Sequence, residues 1–364
     1  MSNATLRFLV FAAVLFSVHS ALAQDRNPAM NASDKFAWEL FANVNRPAGN
    51  GSNDAFWETW ANQDDVYKDP NTAPVFPQNA HQPKVFKPSV QQQLLIQQRL
   101  LEHSNQIEML MKEMGVAHAI QPQFIPPNPA EEEVRMNKST FDFIVMNNLW
   151  YLQGQVAAFN KGTAISFPID SIEVKAHWKA INESEKAKYH WQTGSDGKLY
   201  GLYALHIMTK DIPNWFWATF EQVDNPDRCK ALKCSDSFGL TSSGDVSGEL
   251  KQLFKQAGMG SEWQYYRLDG AQTNFTDSTG RPTLLGNSII ERGFVQTSSC
   301  MTCHARAGID ATGDRLGIFL PGRQSYNGTP DPAWYFQTAS SGQTQKYLQL
   351  DFVWSLSLAQ PRTQ

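Results

Sequence analysis

The spacing of hydrophobic residues changes once along this chain, from a helical period to a period of two. Between residues 139 and 159 apolar side chains recur every three or four positions, which predicts a helix with one buried stripe. From residue 172 onwards apolar and polar residues alternate, as they do in strands. Helices followed by strands predict an α+β fold in which N-terminal helices precede a mainly antiparallel β-sheet.

The predicted elements divide the chain into four parts. Pro88 and the capping residue Ser89 predict an earlier helix over residues 89–114, and Ser139 is the expected cap of the later helix over 139–159. Strands are expected at 172–178, 199–208, 215–221, 263–268, 288–295 and 347–356, and the second and third of these form a hairpin. We expect a leader over 1–23, an irregular arm with short helices over 24–88, a helical region over 89–162 and a β-rich domain over 163–364.

The first 23 residues have the pattern of a cleaved signal peptide. Arg7 supplies a basic start, residues 8–16 are apolar, and Ala21-Leu22-Ala23 is the small-x-small pattern that precedes a cleavage site. The apolar run is too short to span about 30 Å of hydrocarbon, and no later stretch is long enough. We therefore expect export to the periplasm without a membrane span. The net charge of −4 gives no reason to expect nucleic acid as a partner.

A single Cys-x-x-Cys-His motif lies late in the chain, at Cys300-Met301-Thr302-Cys303-His304. Two thiols separated by two residues can reach the two vinyl groups of one haem, and the adjacent histidine can then bind the iron. A structural zinc site would need four ligands, and no second Cys-x-x-Cys exists. A redox dithiol would need a strand-to-helix turn, which the surrounding pattern does not suggest. The motif predicts one covalent haem c, with His304 as the proximal iron ligand.

The other two cysteines, Cys229 and Cys234, have four residues between them in a chain that we expect to be exported. An oxidising compartment favours a local disulfide between them.

The sixth position of the iron has no ligand downstream of the motif, because residues 305–364 contain neither Met nor His. Either a ligand comes from an earlier part of the chain or the iron is five-coordinate. On the predicted strand over 199–208, a period of two puts His206, Met208 and Lys210 on one face, and His206 is the leading candidate for a ligand or pocket residue. Further candidates are Met259 and His177.

Three arginines follow the motif, and an arginine can pair with a haem propionate. Arg306 is the first choice because it is two residues from His304, and the others are Arg315 and Arg323.

The attachment motif resembles that of the cytochrome c superfamily. Over a longer range, segments 167–175, 214–221 and 296–300 resemble a family of secreted bacterial monohaem proteins, and the similarity spans about residues 139–310. The late motif, the β-rich pattern and the final segment over 351–354 resemble the hydroxylamine-oxidising cytochromes, whose c-haem is crosslinked to a lysine. That resemblance implies a catalytic five-coordinate iron and draws attention to Lys175 or Lys210.

Two functions therefore remain open for an exported monohaem cytochrome. One is electron transfer between periplasmic partner proteins, which is the commonest role of c-type haem proteins. The other is a haem enzyme or gas-binding protein whose open iron site takes peroxide, NO or a small nitrogen compound. The missing downstream methionine favours the second function, whereas the frequency of electron carriers among c-type haem proteins favours the first, and electron transfer is the function that we expect.

Overall fold

The computed structural model describes residues 27–78, 81, 84, 132–316, 327–339 and 342–363, and its frame is a seven-stranded antiparallel sheet. The strands follow the spatial order β1-β2-β3-β5-β6-β7, and β4 pairs with the start of β5. They are β1 (Ala61–Asn62), β2 (Glu132–Met136), β3 (Ile172–Ile181), β4 (Trp191–Thr193), β5 (Leu199–Thr209), β6 (Phe216–Gln222) and β7 (Tyr266–Gln272). Two small antiparallel pairs lie outside this sheet: β8 (Gly308–Ile309) with β11 (Leu348–Gln349), and β9 (Phe336–Ala339) with β10 (Gly342–Gln345).

Seven α-helices accompany these strands among the described residues, which confirms the predicted α+β class. They are α1 (Pro28–Asn31), α2 (Ser33–Asn45), α3 (Gln63–Val66), α4 (Lys138–Met146), α5 (Leu152–Asn160), α6 (Gly248–Gln256) and α7 (Cys300–Ala305). Single turns of 3₁₀-helix occur at Phe56–Thr59, Glu183–Glu185, Ser261–Tyr265, Val295–Thr297, Pro332–Trp334 and Trp354–Leu358.

A hydrophobic core covers each face of the sheet, and the alternation of side chains along β3 shows which residues belong to which face. Val174, Ala176 and Trp178 are fully buried in a first hydrophobic core. The residues that alternate with them, Glu173 and Lys175 among them, point to the other face because successive side chains in a strand alternate.

Helix α2 packs against the first core with a dense set of aromatic rings. Trp38 and Phe41 lie on Phe220 of β6, with ring centroids 5.1 and 4.5 Å apart respectively. Phe41 also meets Trp263 edge to face. Short helices were predicted within the arm over 24–88, and α2 is one of them; it forms one wall of the first core.

The second core lies on the opposite face and is built from α4, α5, α7 and the C-terminal segment. Its members include Phe141, Trp217, Met301 and Phe352. Helix α7 carries the Cys-x-x-Cys-His motif, so this face of the sheet holds the candidate site.

Strand β2 was not predicted, and it lies inside the region over 89–162 that was expected to be helical. Its sequence, Glu-Glu-Val-Arg-Met, places charged residues on both faces. Glu133 and Arg135 are nevertheless buried, because Lys84 donates to Glu133 at 2.6 Å and Arg135 donates to the same carboxylate at 2.5 Å. Charge pairing across distant parts of the chain thus stabilises a strand that hydrophobic alternation does not reveal.

The single helix predicted over 139–159 is broken into α4 and α5. Asn148 adopts a left-handed backbone with φ of 59°, and the Leu152 amide donates to the carbonyl of Gln360. Gly154 permits the break, since a Cβ there would lie 1.8 Å from the Asn148 carbonyl oxygen. The cap of α4 is Asn137, whose side chain accepts from the Thr140 amide, rather than the predicted Ser139.

Three of the predicted strands also differ from the structure. Residues 288–294 form turns because the side-chain oxygen of Asn287 accepts from the amides of Ile289 and Ile290. The strand expected over 347–356 is reduced to β11, and the one expected over 263–268 begins only at Tyr266.

The helix predicted over 89–114 and the signal peptide predicted over 1–23 lie outside the described residues. Within the described ranges, none of the helices combines the length and the apolar character that crossing a membrane requires.

Candidate functional site

Helix α7 presents the three motif side chains on one face. Positions i, i+3 and i+4 of a helix are neighbours, so Cys300, Cys303 and His304 point the same way. The opposite side is anchored in the core: Met301 is fully buried, and its amide donates to Gln272 Oε1 at 3.0 Å. The helix is thus fixed by its Met301 side, while the motif face lies beside Trp217 of the same core.

The imidazole of His304 is held in one tautomer. Its Nδ1 lies 2.8 Å from the backbone carbonyl oxygen of Phe352, which can only accept, so Nδ1 carries the proton. Nε2 then has a free lone pair, which is what a metal requires. Burial lowers the pKa of His304 to about 4, so the ring is neutral at neutral pH. The ring also packs on Trp217, with centroids 4.5 Å apart.

Both motif sulfurs lie where a thiolate is unfavourable. Cys300 is buried and Cys303 is half-buried. Burial raises the pKa of Cys303 to about 12 and raises that of Cys300 well above its usual value. A zinc site or a redox dithiol would need thiolates, whereas thioether sulfurs carry no charge. The donor set of the site therefore fits a covalently attached haem better than it fits either alternative.

A backbone turn after β11 aims the Phe352 carbonyl at His304. Asp351 and Phe352 both adopt positive φ, 48° and 70°, which is uncommon for residues other than glycine. The Asp351 carboxylate accepts from the Phe167 amide at 2.7 Å and from Lys210 Nζ at 2.6 Å. These contacts hold the turn in a conformation that it would not adopt by itself.

Lys210 is therefore not placed as an iron ligand. It was predicted to share a face with His206, but its ammonium also donates to the carbonyl of Pro213 and is fully used in fixing the turn.

A cluster of polar side chains lies beside the motif; we call Glu132, Lys175, His206 and Glu291 the polar cluster. Lys175 and His206 are directly opposite each other on β3 and β5. His206 Nε2 lies 3.4 Å from Glu291 Oε2, and Lys175 Nζ lies 3.1 Å from Glu132 Oε2.

The charges of the polar cluster act on the motif residues. Lys175 and Glu291 each influence the pKa values of Cys303 and His304, so the cluster and the motif share one electrostatic environment. Burial lowers the pKa of Lys175, but Glu132 and Glu291 outweigh it and keep the pKa above its ordinary value. Burial likewise raises the pKa of Glu291, but His206 outweighs it and lowers the pKa. The structure thus brings the predicted residue His206 close to the motif.

The other candidates for an iron ligand are placed differently. Met208 is buried on the same face as His206 and stands opposite Trp217 in the β5–β6 ladder. His177 is on this face too, further along β3, where burial and Lys175 lower its pKa to about 4. Met259 packs against the first core on the other side of the sheet, so it is removed from the motif.

Of the three arginines, Arg306 is the one beside the motif. It is buried, its guanidinium carbon lies 4.5 Å from the Trp334 ring centroid, and its charge acts on Cys303. Arg315 instead donates to the side chain of Gln155. Arg323 lies outside the described residues.

Sequence reasoning missed Glu291 and the Phe352 carbonyl. Lys175 was singled out only through the resemblance to lysine-crosslinked cytochromes, although its alternation with Val174 and Ala176 already placed it on the second face. Glu291 gave no such signal, because it reaches the site from a turn.

The predicted disulfide is present, with the sulfurs of Cys229 and Cys234 at 2.01 Å. It lies near the ends of β6 and β7, apart from helix α7.

Comparisons of this chain with protein-family models, with curated proteins and with solved structures found no match.

Glu173, on the same face of β3, is a buried carboxyl group with one neutral partner. Ser355 Oγ donates to it at 2.7 Å, and burial raises its pKa to about 7. Ser355 belongs to the C-terminal segment that also carries Phe352. The protonation of Glu173 is therefore linked to the packing of that segment.

Replacing Asp351 with Ala should destabilise the protein by about 3 kcal/mol, because Lys210 and the Phe167 amide lose their partner in a buried place. The matched control is Asp142→Ala, which breaks an exposed pair with Lys138 at the same 2.6 Å and should cost about 0.5 kcal/mol. Urea unfolding measures both. Equal losses in the two variants would show that the Asp351 contacts do not hold the turn.

Replacing Glu173 with Gln should change how stability depends on pH. Burial raises the pKa of Glu173 in the folded protein from 4.5 to about 7, so the native state keeps a proton that the unfolded chain releases. The contribution of this proton to stability is present below pH 4.5 and is lost as the pH rises from 4.5 through 7. The wild type should lose about 3 kcal/mol relative to Glu173→Gln between pH 4.5 and pH 8. The exposed Glu183→Gln is the control. Parallel urea profiles for the wild type and Glu173→Gln would contradict the burial argument.

Proposed function

We propose that this chain is an exported monohaem c-type cytochrome, in which Cys300 and Cys303 hold one haem covalently and His304 Nε2 binds its iron. The observation that carries the proposal is the hydrogen bond from His304 Nδ1 to the Phe352 carbonyl, on a helix face shared with both sulfurs. It leaves the metal-binding nitrogen free beside two uncharged sulfurs. Arg306, whose charge acts on Cys303, is the arginine that we expect to pair with a propionate.

We further propose that the protein is a haem oxidoreductase for a small ligand. Haem iron with one protein ligand supplies an open coordination position and one-electron chemistry. Beside the motif, the chain provides His206 and Glu291, which can hold or release a proton, and Lys175, which can attract an anion. Acid–base groups of this kind are of no use to a protein that only carries electrons.

The substrate class that fits this cluster is peroxide, NO or a small nitrogen compound. Each has an oxygen or nitrogen atom that can accept a hydrogen bond from His206 or Lys175. Of the two lysines to which the resemblance to hydroxylamine-oxidising cytochromes drew attention, Lys175 is in the polar cluster and Lys210 is paired with Asp351. This supports a nitrogen compound within that class.

Electron transfer between periplasmic proteins is the second candidate, and one observation favours it. Met208 and His206 are on the motif-bearing face of β5, two residues apart, and Met208 is buried in the same core as Cys300. Either side chain could serve as a sixth ligand and close the iron to other molecules.

Protein exported from a host that attaches c-type haem should carry the mass of one haem, and acidic organic solvent should not extract it. Replacing Cys300 and Cys303 with Ala should abolish covalent attachment, because both sulfurs are then absent. Replacing Cys229 and Cys234 with Ala removes the other two cysteines and should leave the haem in place. Mass spectrometry distinguishes these outcomes. A wild-type chain without haem, or with extractable haem, would overturn the proposal.

Variants of the polar cluster should separate the two functions. For the oxidoreductase, the reduced wild type should bind carbon monoxide, and His206→Ala or Glu291→Gln should change the affinity about tenfold through a lost hydrogen bond. His177 lies on the same face of the sheet, on β3 two residues after Lys175, so His177→Ala is the matched control. Optical titration measures the affinity.

A low-spin wild type that excludes carbon monoxide would favour electron transfer instead. In that case His206→Ala or Met208→Leu should convert the iron to high spin, which identifies the sixth ligand. An unchanged affinity and spectrum in His206→Ala, Glu291→Gln and Lys175→Met would remove the support for the polar cluster as a functional site.

A further inference from the structure

The Cys229–Cys234 disulfide lies against a buried carboxyl group. Cys234 Sγ is 3.3 Å from Oδ1 of Asp269, which lies within β7 where its pairing with β6 is irregular. Both cysteines are partly exposed, whereas Asp269 is only 6% exposed. A reagent from solution can therefore reach the disulfide, while the carboxyl group beneath it is shielded from water.

Two carboxyl groups meet at this place, and they differ in their partners. Glu221 accepts from the amide and the hydroxyl of Ser288, at 2.7 and 2.9 Å, and also from Asn225. Asp269 Oδ1 meets Arg228 Nε at 2.6 Å, but Oδ2 is buried and has no hydrogen-bond partner within the part of the chain that the structure describes. Glu221 is thus equipped to hold the negative charge of the pair.

Asp269 is accordingly the carboxyl group that keeps a proton. Burial and the facing charge of Glu221 raise its pKa well above the ordinary value, although Arg228 opposes the shift. A disulfide sulfur has no hydrogen, so the Asp269 carboxyl group is the donor available for the contact with Cys234.

A purely structural disulfide does not need an acid beneath it. The bridge spans a sequence separation of only five residues, and such a short loop restricts few configurations of the unfolded chain. A buried carboxyl group at a disulfide sulfur has a chemical use, because it can protonate the sulfur that leaves when the bond breaks.

We propose that Cys229–Cys234 is a redox-active disulfide that exchanges with a dithiol, and that Asp269 is its proton donor. A thiolate of the dithiol attacks Cys229 Sγ, the Cys229–Cys234 bond breaks, and Cys234 takes the electron pair and the proton of Asp269. The second thiol gives its proton to Asp269 and displaces Cys229, which takes a proton from water. The dithiol ends as a disulfide, and the pair gains two electrons and two protons.

Cys229 is the sulfur that is attacked, because Asp269 covers Cys234. The exposed loop between the cysteines carries Lys230 and Lys233, and these cations favour the approach of a thiolate. This activity does not depend on haem.

The test is the rate at which excess dithiothreitol reduces the disulfide in the folded full-length protein at pH 7, read by alkylation and mass spectrometry. Mass spectrometry of the peptide that holds Cys229 and Cys234 follows these two cysteines alone, so the readout does not depend on whether Cys300 and Cys303 carry haem. Asp269→Asn keeps the shape but loses the acid, and reduction should slow by about tenfold or more. Asp245→Asn, at an exposed position outside the disulfide loop, is the control and should leave the rate unchanged.

The direction of the change in reduction rate distinguishes the loss of the proton donor from misfolding, because a disulfide in a loosened loop would be reduced faster than in the wild type. If Asp269→Asn does not fold, Glu221→Gln replaces it: without the charge that keeps the proton on Asp269, reduction should also slow. A wild-type disulfide that resists dithiothreitol until the protein unfolds would overturn the proposal. So would an equal rate in the wild type and in the variant tested.

Discussion

The hydrogen bond between His304 and the Phe352 carbonyl is the contact on which the candidate site depends. It requires Phe352 in a left-handed backbone conformation, which in turn requires Asp351 to be held from two sides. One side is the amide of Phe167, and the other is Lys210, just beyond the end of β5. The imidazole of a histidine on a short helix is thus oriented by the sheet through a strained turn.

Charged side chains are paired differently on the two faces of the sheet. On the first face, Lys84 lies between Glu58 and Glu133, at 3.0 and 2.6 Å, and every one of these groups is almost completely buried. Such a closed network fixes geometry and leaves nothing to bind a ligand. On the second face, the pairing of His206 with Glu291 is looser, at 3.4 Å, and it adjoins the motif. The second arrangement is the one that can exchange partners.

Sequence alone predicted what short-range patterns determine. The alternation in β3, β5 and β6 gave strands close to their observed bounds, because each is apolar on at least one face. The spacing of Cys300, Cys303 and His304 predicted that the three side chains act together, and the structure brings them onto one face of helix α7. The proximity of Cys229 and Cys234 in the chain predicted their bond, which the structure contains.

What sequence did not predict depends on partners far away in the chain. Strand β2 carries two buried charges, Glu133 and Arg135, which pair with each other, and Glu133 also pairs with Lys84, 49 positions earlier in the chain. Glu291 reaches His206 only because the Asn287 side chain folds residues 288–294 into turns rather than the expected strand. The resemblances supplied Lys175 but not its partner Glu132, since strand pairing decides which carboxylate faces which lysine.

The contact between His304 and Phe352 joins residues 48 positions apart. During synthesis the two cysteines emerge well before the residue that orients the histidine. The sulfurs can thus be modified while the imidazole is still free to rotate, and docking of the final segment then selects one nitrogen. Chemistry at the two sulfurs therefore does not have to wait for the C-terminal segment, whereas the orientation of the imidazole is completed only when that segment docks.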